Sequence, residues 1–182
     1  MSVKDFVQQR RDALIAMRRD FHMYPEPAWL EYRSAAKVAD RLISLGYDVA
    51  LGADVLDLDS RMGLPSDEVM KAAMDRAIKE GANPELVEKM GYGKTAIVAT
   101  MKFGGEGPVV AFRVDMDSND VIEAKEDSHV PTKEGFRSCH DKAMHACGHD
   151  AHMTMGLGLA EYLAAHKDEF KGTIKLIFQP AE

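Results

Sequence analysis

Cysteine is scarce in this sequence. Two residues, Cys139 and Cys147, among 182 cannot make a disulfide framework, and in a reducing compartment a special cysteine more often serves a metal or catalysis. Long apolar runs are missing too: none approaches the ~20 residues a bilayer span requires. The N-terminus Met-Ser-Val-Lys-Asp-Phe-Val lacks the basic-then-apolar layout of a secretory signal, so a cytoplasmic protein with no membrane partner is expected. There is no basic excess. With 23 Lys and Arg against 30 Asp and Glu, the net charge of -7 argues against nucleic acid or an anionic membrane and favours a small-molecule substrate. No internal repeat or low-complexity tract occurs. What is present, 46% hydrophobic residues over the length of one domain, suffices for a core.

Periodicity supplies the elements. Val3, Phe6, Val7, Leu14, Met17 and Phe21 recur at helical steps and predict a helix over 3–23, ended by Pro25 and Pro27. A second helix is expected over about 31–45, capped by Gly46, with a strand from Tyr47. Residues 95–103 and 108–115 read as two central strands joined in a hairpin through Gly104–Gly107. A third helix carries Met155, Leu159, Tyr162 and Leu163, with Gly156 and Gly158 allowing close approach to a sheet. The last strand covers Thr173 to Phe178. This order predicts an α/β fold, a mixed central sheet flanked by helices. Two intervals break the rhythm: 52–93, a helical insertion with a helix from Pro65 to Lys79, and the polar stretch 119–144, whose length points to function.

The densest chemistry lies in Met144-His-Ala-Cys-Gly-His-Asp-Ala-His152, with three of the seven histidines and one of the two cysteines. His145, Cys147 and His149 alternate, so an extended segment would aim all three to one side, and thiolate and imidazole suit zinc and its neighbours. A buried cysteine among surface histidines is the bland alternative. Glu182 follows the last strand, where open α/β sheets gather functional groups; a frayed terminal glutamate is the competing reading.

Four segments in order then carry a resemblance: Arg18-Arg-Asp-Phe-His22, Arg113-Val-Asp-Met-Asp117, Met144-His-Ala-Cys-Gly-His-Asp150 and Ile177-Phe-Gln-Pro-Ala-Glu182. Together they resemble the N-terminal part of the M20-type metallo-amidohydrolases, a zinc-peptidase-like catalytic domain. The segment Asp59-Ser-Arg-Met-Gly-Leu-Pro65, with Ser128-His129 and Gly135-Phe136, is similar to the branch of that family acting on p-aminobenzoyl-glutamate, and relatives acting on indole-acetyl amino acids are expected to lack the insertion.

The resemblance implies Cys147 as a metal ligand bridging two divalent ions, manganese or zinc, and His149 as a ligand of one of them. It makes Glu182 the general base and Asp117 the aspartate that orients a ligand. Asp115 stands where other relatives have a ligand histidine. His145 falls to a supporting role, and His152 and His22 to surface or capping roles. The implied activity is hydrolysis of an N-acyl amino acid, p-aminobenzoyl-glutamate first, with a homologous partner subunit or a homodimer. A different N-acyl specificity and a non-catalytic interaction subunit remain the alternatives. The resemblance further implies that residues 1–182 are the first part of the catalytic domain, without its satellite dimerisation domain, lacking ligands beyond Glu182 and inactive alone. One departure bears on the acyl pocket: Ser118-Asn119 stands where the family commonly has Ala-Leu.

Overall fold

The computed structural model describes residues 1–182. Helix α1 spans Val3–Met23 and starts where Ser2 Oγ accepts the Asp5 N–H at 3.2 Å. Helix α2 (Tyr32–Ser44) follows, with Glu31 at its N-cap, and strand β1 covers Asp48–Leu51. Within 52–93 lie two 3₁₀ turns and helices α3 (Asp67–Lys79) and α4 (Pro84–Lys89). Pro84 opens α4. It sits at a position whose N–H has no helical partner, while Asn83 accepts the Glu85 N–H at 3.1 Å. Then come β2 (Ile97–Lys102), β3 (Val109–Asp115), the one-turn α5 (Val130–Lys133), α6 (His149–Ala165) and β4 (Thr173–Gln179).

The sheet is mixed, in the order β1-β2-β4-β3. This overturns the hairpin: β2 and β3 are not neighbours, because β4 lies between them, antiparallel to β2 and parallel to β3. The loop 103–108 straddles the entry of β4, with Phe103 N–H donating to Gly172 O at 2.8 Å and Thr173 N–H to Pro108 O at 2.9 Å. Gly172 makes this crossing possible: it has φ +85°, and a Cβ there would lie 2.3 Å from Pro108 O. Nor is β3 central. It forms one edge of the sheet, and Val109, Val110 and Phe112 are exposed.

Along β4 the residues alternate, Ile174, Leu176 and Phe178 pointing into the core and their neighbours half-buried. That inner face meets α2 and α6, whose Ala35, Val38, Leu42, Met153, Leu157 and Ala160 are buried in one hydrophobic cluster. Gly156 lets α6 sit directly on the sheet, its Cα side facing Val114 and Phe178, whereas Gly158 faces Leu14 of α1 rather than the sheet. Glu161 on α6 binds Arg10 of α1 and Arg41 of α2, tying the three helices. No helix is long and apolar enough to cross a membrane.

Candidate metal centre

Parallel pairing of β3 and β4 brings their carboxyl ends side by side: Asp115 lies opposite Gln179, and Met116 N–H donates to Gln179 O. Residues just past the two strands, Asp117 and Glu182, therefore meet, and the Glu182 N–H reaches Asp117 Oδ1 at 3.2 Å. The N-terminus of α6 arrives at the same place. Gly148, at φ +101°, makes the sharp turn that lets His149 be the first helical residue.

His149 is buried and its tautomer is set by Asp117. Nδ1 lies 2.8 Å from Asp117 O and 3.3 Å from Asp117 Oδ1, so Nδ1 carries the proton and Nε2 keeps its lone pair for a ligand role. Cys147 is exposed, its Sγ contacted by Asn119 Nδ2 at 3.5 Å. Asn119 Oδ1 also accepts the Ala146 and Cys147 N–H groups, so this polar residue organises the ligand loop. Glu182 is half exposed, with Arg113 Nη2 at 3.8 Å from its carboxylate.

Other residues take places the sequence did not suggest. His152 stacks on His149, ring centroids 5.1 Å apart, and its Nδ1 lies 3.4 Å from Asp115 Oδ2. The donor atoms of Asp115, His149 and His152 lie within 4.8 Å of one another, whereas Cys147 belongs to no such three-donor group. Asp115 Oδ1 is buried without an aligned hydrogen bond, although Arg113 Nε approaches to 3.1 Å. The Asp115 carboxylate, with Oδ2 beside His152, and the two imidazoles form a set of hard and borderline donors that suits a divalent transition metal.

His22 is neither on the surface nor a cap. It is buried, with Nδ1 at 2.7 Å from Asp150 and Nε2 at 2.9 Å from Glu123. Burial opposes its charge, but the two carboxylates prevail and raise its pKa above the usual histidine value. Asp150, also bound by Arg18 at 2.9 Å, stays below its ordinary range because these cationic partners outweigh burial. His145 is buried with no partner for either ring nitrogen, and burial pushes its pKa down to about 4, so it is neutral. These partners lie up to 128 residues away in the chain, and no local pattern announces them.

Comparison with known proteins places this geometry. Residues 111–182 match peptidase family M20/M25/M40. The chain is 47% identical to the indole-3-acetyl-aspartic acid hydrolase of Enterobacter agglomerans over 99% of its own length and 41% of that protein's. It is 47% identical to a p-aminobenzoyl-glutamate hydrolase subunit of Escherichia coli, over 100% of this chain and 42% of that one. Among solved structures, the aminobenzoyl-glutamate utilization protein of Klebsiella pneumoniae superposes with a TM-score of 0.81 at 40% identity, covering all of this chain and 39% of that one. A dinuclear metal binding M20 peptidase of Bacillus subtilis gives a TM-score of 0.62 at 28% identity, covering 98% of this chain and 36% of that one. The match to the Enterobacter protein runs through 52–93, so that segment does not separate the two substrates, contrary to expectation. The chain spans about two fifths of the length of these relatives and belongs to the M20 peptidase family.

Proposed function

We propose that this chain supplies part of a dinuclear metal centre in an amidohydrolase that cleaves N-acyl amino acids. The observation that carries the reading is the meeting of Asp117, His149 and Glu182 at the carboxyl ends of two parallel strands, with His149 Nε2 free beside it. Cys147 and His149 are the proposed ligands, Asp117 the residue that orients His149, and Glu182 the general base. The Bacillus relative, described as binding two metals, supports metal binding at this site; zinc or manganese are the proposed ions. Divalent ions at such a site polarise the scissile carbonyl and acidify the attacking water. Glu182 accepts that water's proton and delivers it to the leaving amine, which requires its carboxylate to be held at a fixed place.

The two substrates named for the 47% identical relatives are both conjugates of an acidic amino acid. An aryl-acyl conjugate of glutamate or aspartate is therefore the proposed substrate class, p-aminobenzoyl-glutamate first. Two relatives are named as one subunit of a hydrolase, which supports a second, partner chain. The absence of a membrane-length helix is consistent with the proposed cytoplasmic location. Because the chain spans only part of its relatives, activity is assigned to the whole protein at their length. The test is hydrolysis of p-aminobenzoyl-glutamate and indole-3-acetyl-aspartate by the whole protein with zinc or manganese. Release of the amino acid, abolished in Glu182→Gln, supports the reading; no hydrolysis of either substrate refutes it.

A further inference from the structure

Three non-glycine residues have left-handed backbones, Trp29 (φ 65°), Tyr92 (φ 60°) and Ala181 (φ 52°), and two of them, Trp29 and Ala181, donate their N–H groups to one fully buried carboxylate, that of Glu31. Such conformations persist where the surroundings over-determine them. Glu31 Oε1 accepts the N–H of Trp29 at 3.0 Å and of Ala181 at 2.9 Å, while Oε2 accepts the Thr95 hydroxyl at 2.7 Å. Next to it, the Tyr32 hydroxyl accepts the Gly93 N–H at 2.9 Å, holding the turn that contains Tyr92. The Glu31 side chain is thus the joint between the start of α2, the entry to β2 and the residue immediately before Glu182. The proposed chemistry makes no use of this carboxylate.

We propose that Glu31 is a positioning residue: its buried side chain clamps the Ala181 N–H, fixing the turn that presents Glu182 at the carboxyl ends of β3 and β4. The second clamp is Asp117, which holds the next N–H, that of Glu182 itself. Two consecutive amides anchored to two different elements leave the Glu182 backbone little freedom, so its carboxylate is aimed by the fold. Burial raises the Glu31 pKa to about 8, against the hydrogen bond from Thr95 and the backbone N–H groups that favour its charged form. A neutral, same-shaped amide can consequently stand in for it. The inference rests on Glu182 being the general base.

The test compares Glu31→Met, which fills the space but accepts no hydrogen bond, with Glu31→Gln, in the metal-loaded whole protein. For Glu31→Met, kcat on p-aminobenzoyl-glutamate should fall by about ten- to a hundredfold, the scale of a misplacement near 1 Å, with KM within about threefold. Amide exchange at Ala181 should accelerate by roughly tenfold or more, because its opening no longer breaks the bond to Glu31. Glu31→Gln should restore kcat and the Ala181 exchange to within about fivefold, since its oxygen still accepts the Trp29 and Ala181 N–H groups. Thr95→Val, which removes the hydroxyl steadying the carboxylate, should show a smaller loss of the same kind and serves if Glu31→Met does not fold. Unchanged exchange at Ala181 overturns the clamp, and faster exchange with unchanged kcat overturns the positioning role. If the wild-type whole protein cleaves no N-acyl amino acid, the functional reading fails, while exchange still decides the clamp.

Discussion

Asp117→Ala tests how the site holds its histidine. Asp117 orients His149 through two acceptors, its backbone oxygen at 2.8 Å from Nδ1 and its carboxylate at 3.3 Å. Loss of a residue that orients a metal-bound histidine typically costs 10–100-fold in metal affinity, about 1.4–2.7 kcal/mol. Alanine removes the carboxylate but leaves the shorter backbone bond, which still selects the ligand tautomer. The loss should therefore fall near the lower end, about tenfold in Kd. Asp117→Asn keeps an oxygen acceptor and loses the charge, so it should lie between wild type and alanine. Asp117 also accepts the Glu182 N–H, so in Asp117→Ala kcat should drop even at saturating metal. Competition with a chromophoric chelator at fixed pH measures the affinity. Wild-type affinity in Asp117→Ala, or weaker binding in Asp117→Asn than in Asp117→Ala, would refute the reasoning.

Gly156→Ala puts a methyl 2.9 Å from Val114 Cγ2 and 3.1 Å from Phe178 Cζ; overpacking outweighs the helix-propensity gain, and Tm should fall by about 2–8 °C in thermal unfolding. His22→Gln isolates the buried His22 pair with Asp150 and Glu123. The folded His22 pKa lies above the ordinary 6.5, so its charge stabilises fully below pH 6.5 and that contribution fades as pH rises through the raised value. Asp150 and Glu123 titrate below their ordinary 3.8 and 4.5, so the contribution also fades in acid, as they protonate below those values. The Tm gap between wild type and His22→Gln should therefore peak between about pH 4.5 and 6.5, and a gap that grows with pH would contradict the assignment. Asn119→Ala removes the acceptor of the Cys147 N–H, whose amide exchange should rise by about tenfold, while Ala146, which also donates to Met144 O at 2.9 Å, should change less, read by mass spectrometry of that peptide.

Sequence pattern locates the helices and strands because each buries one periodic face. It does not reveal the sheet order, since Gly104–Gly107 reads alike whether its strands pair or another strand passes between them. That distinction is made by Gly172 and Pro108, 64 residues apart, and no local signal encodes it. Helix α4 is hidden because proline both ends helices and starts them, and the Asn83 cap decides which. At the site, Asp117, His149 and Glu182 are legible as a motif, and the strand ends bring them together. His22, Glu31 and Asn119 are not, because their roles depend on partners brought by the fold from 28 to 150 residues away. Two acids, Glu26 between Pro25 and Pro27 and Glu31 four residues beyond, both fully buried, are the available clue that this bend carries more than a turn. His152 reads as a residue of its helix alone, yet one helical turn from His149 places it beside Asp115.

The central claim is that Cys147 and His149 bind metal together in the whole protein. X-ray absorption at the zinc edge of the metal-loaded whole protein tests it most directly. The account predicts a sulfur shell at about 2.3 Å with nitrogen or oxygen near 2.0–2.1 Å, and loss of the sulfur shell in Cys147→Ser. A wild-type spectrum with nitrogen and oxygen alone, unchanged by that substitution, would contradict it.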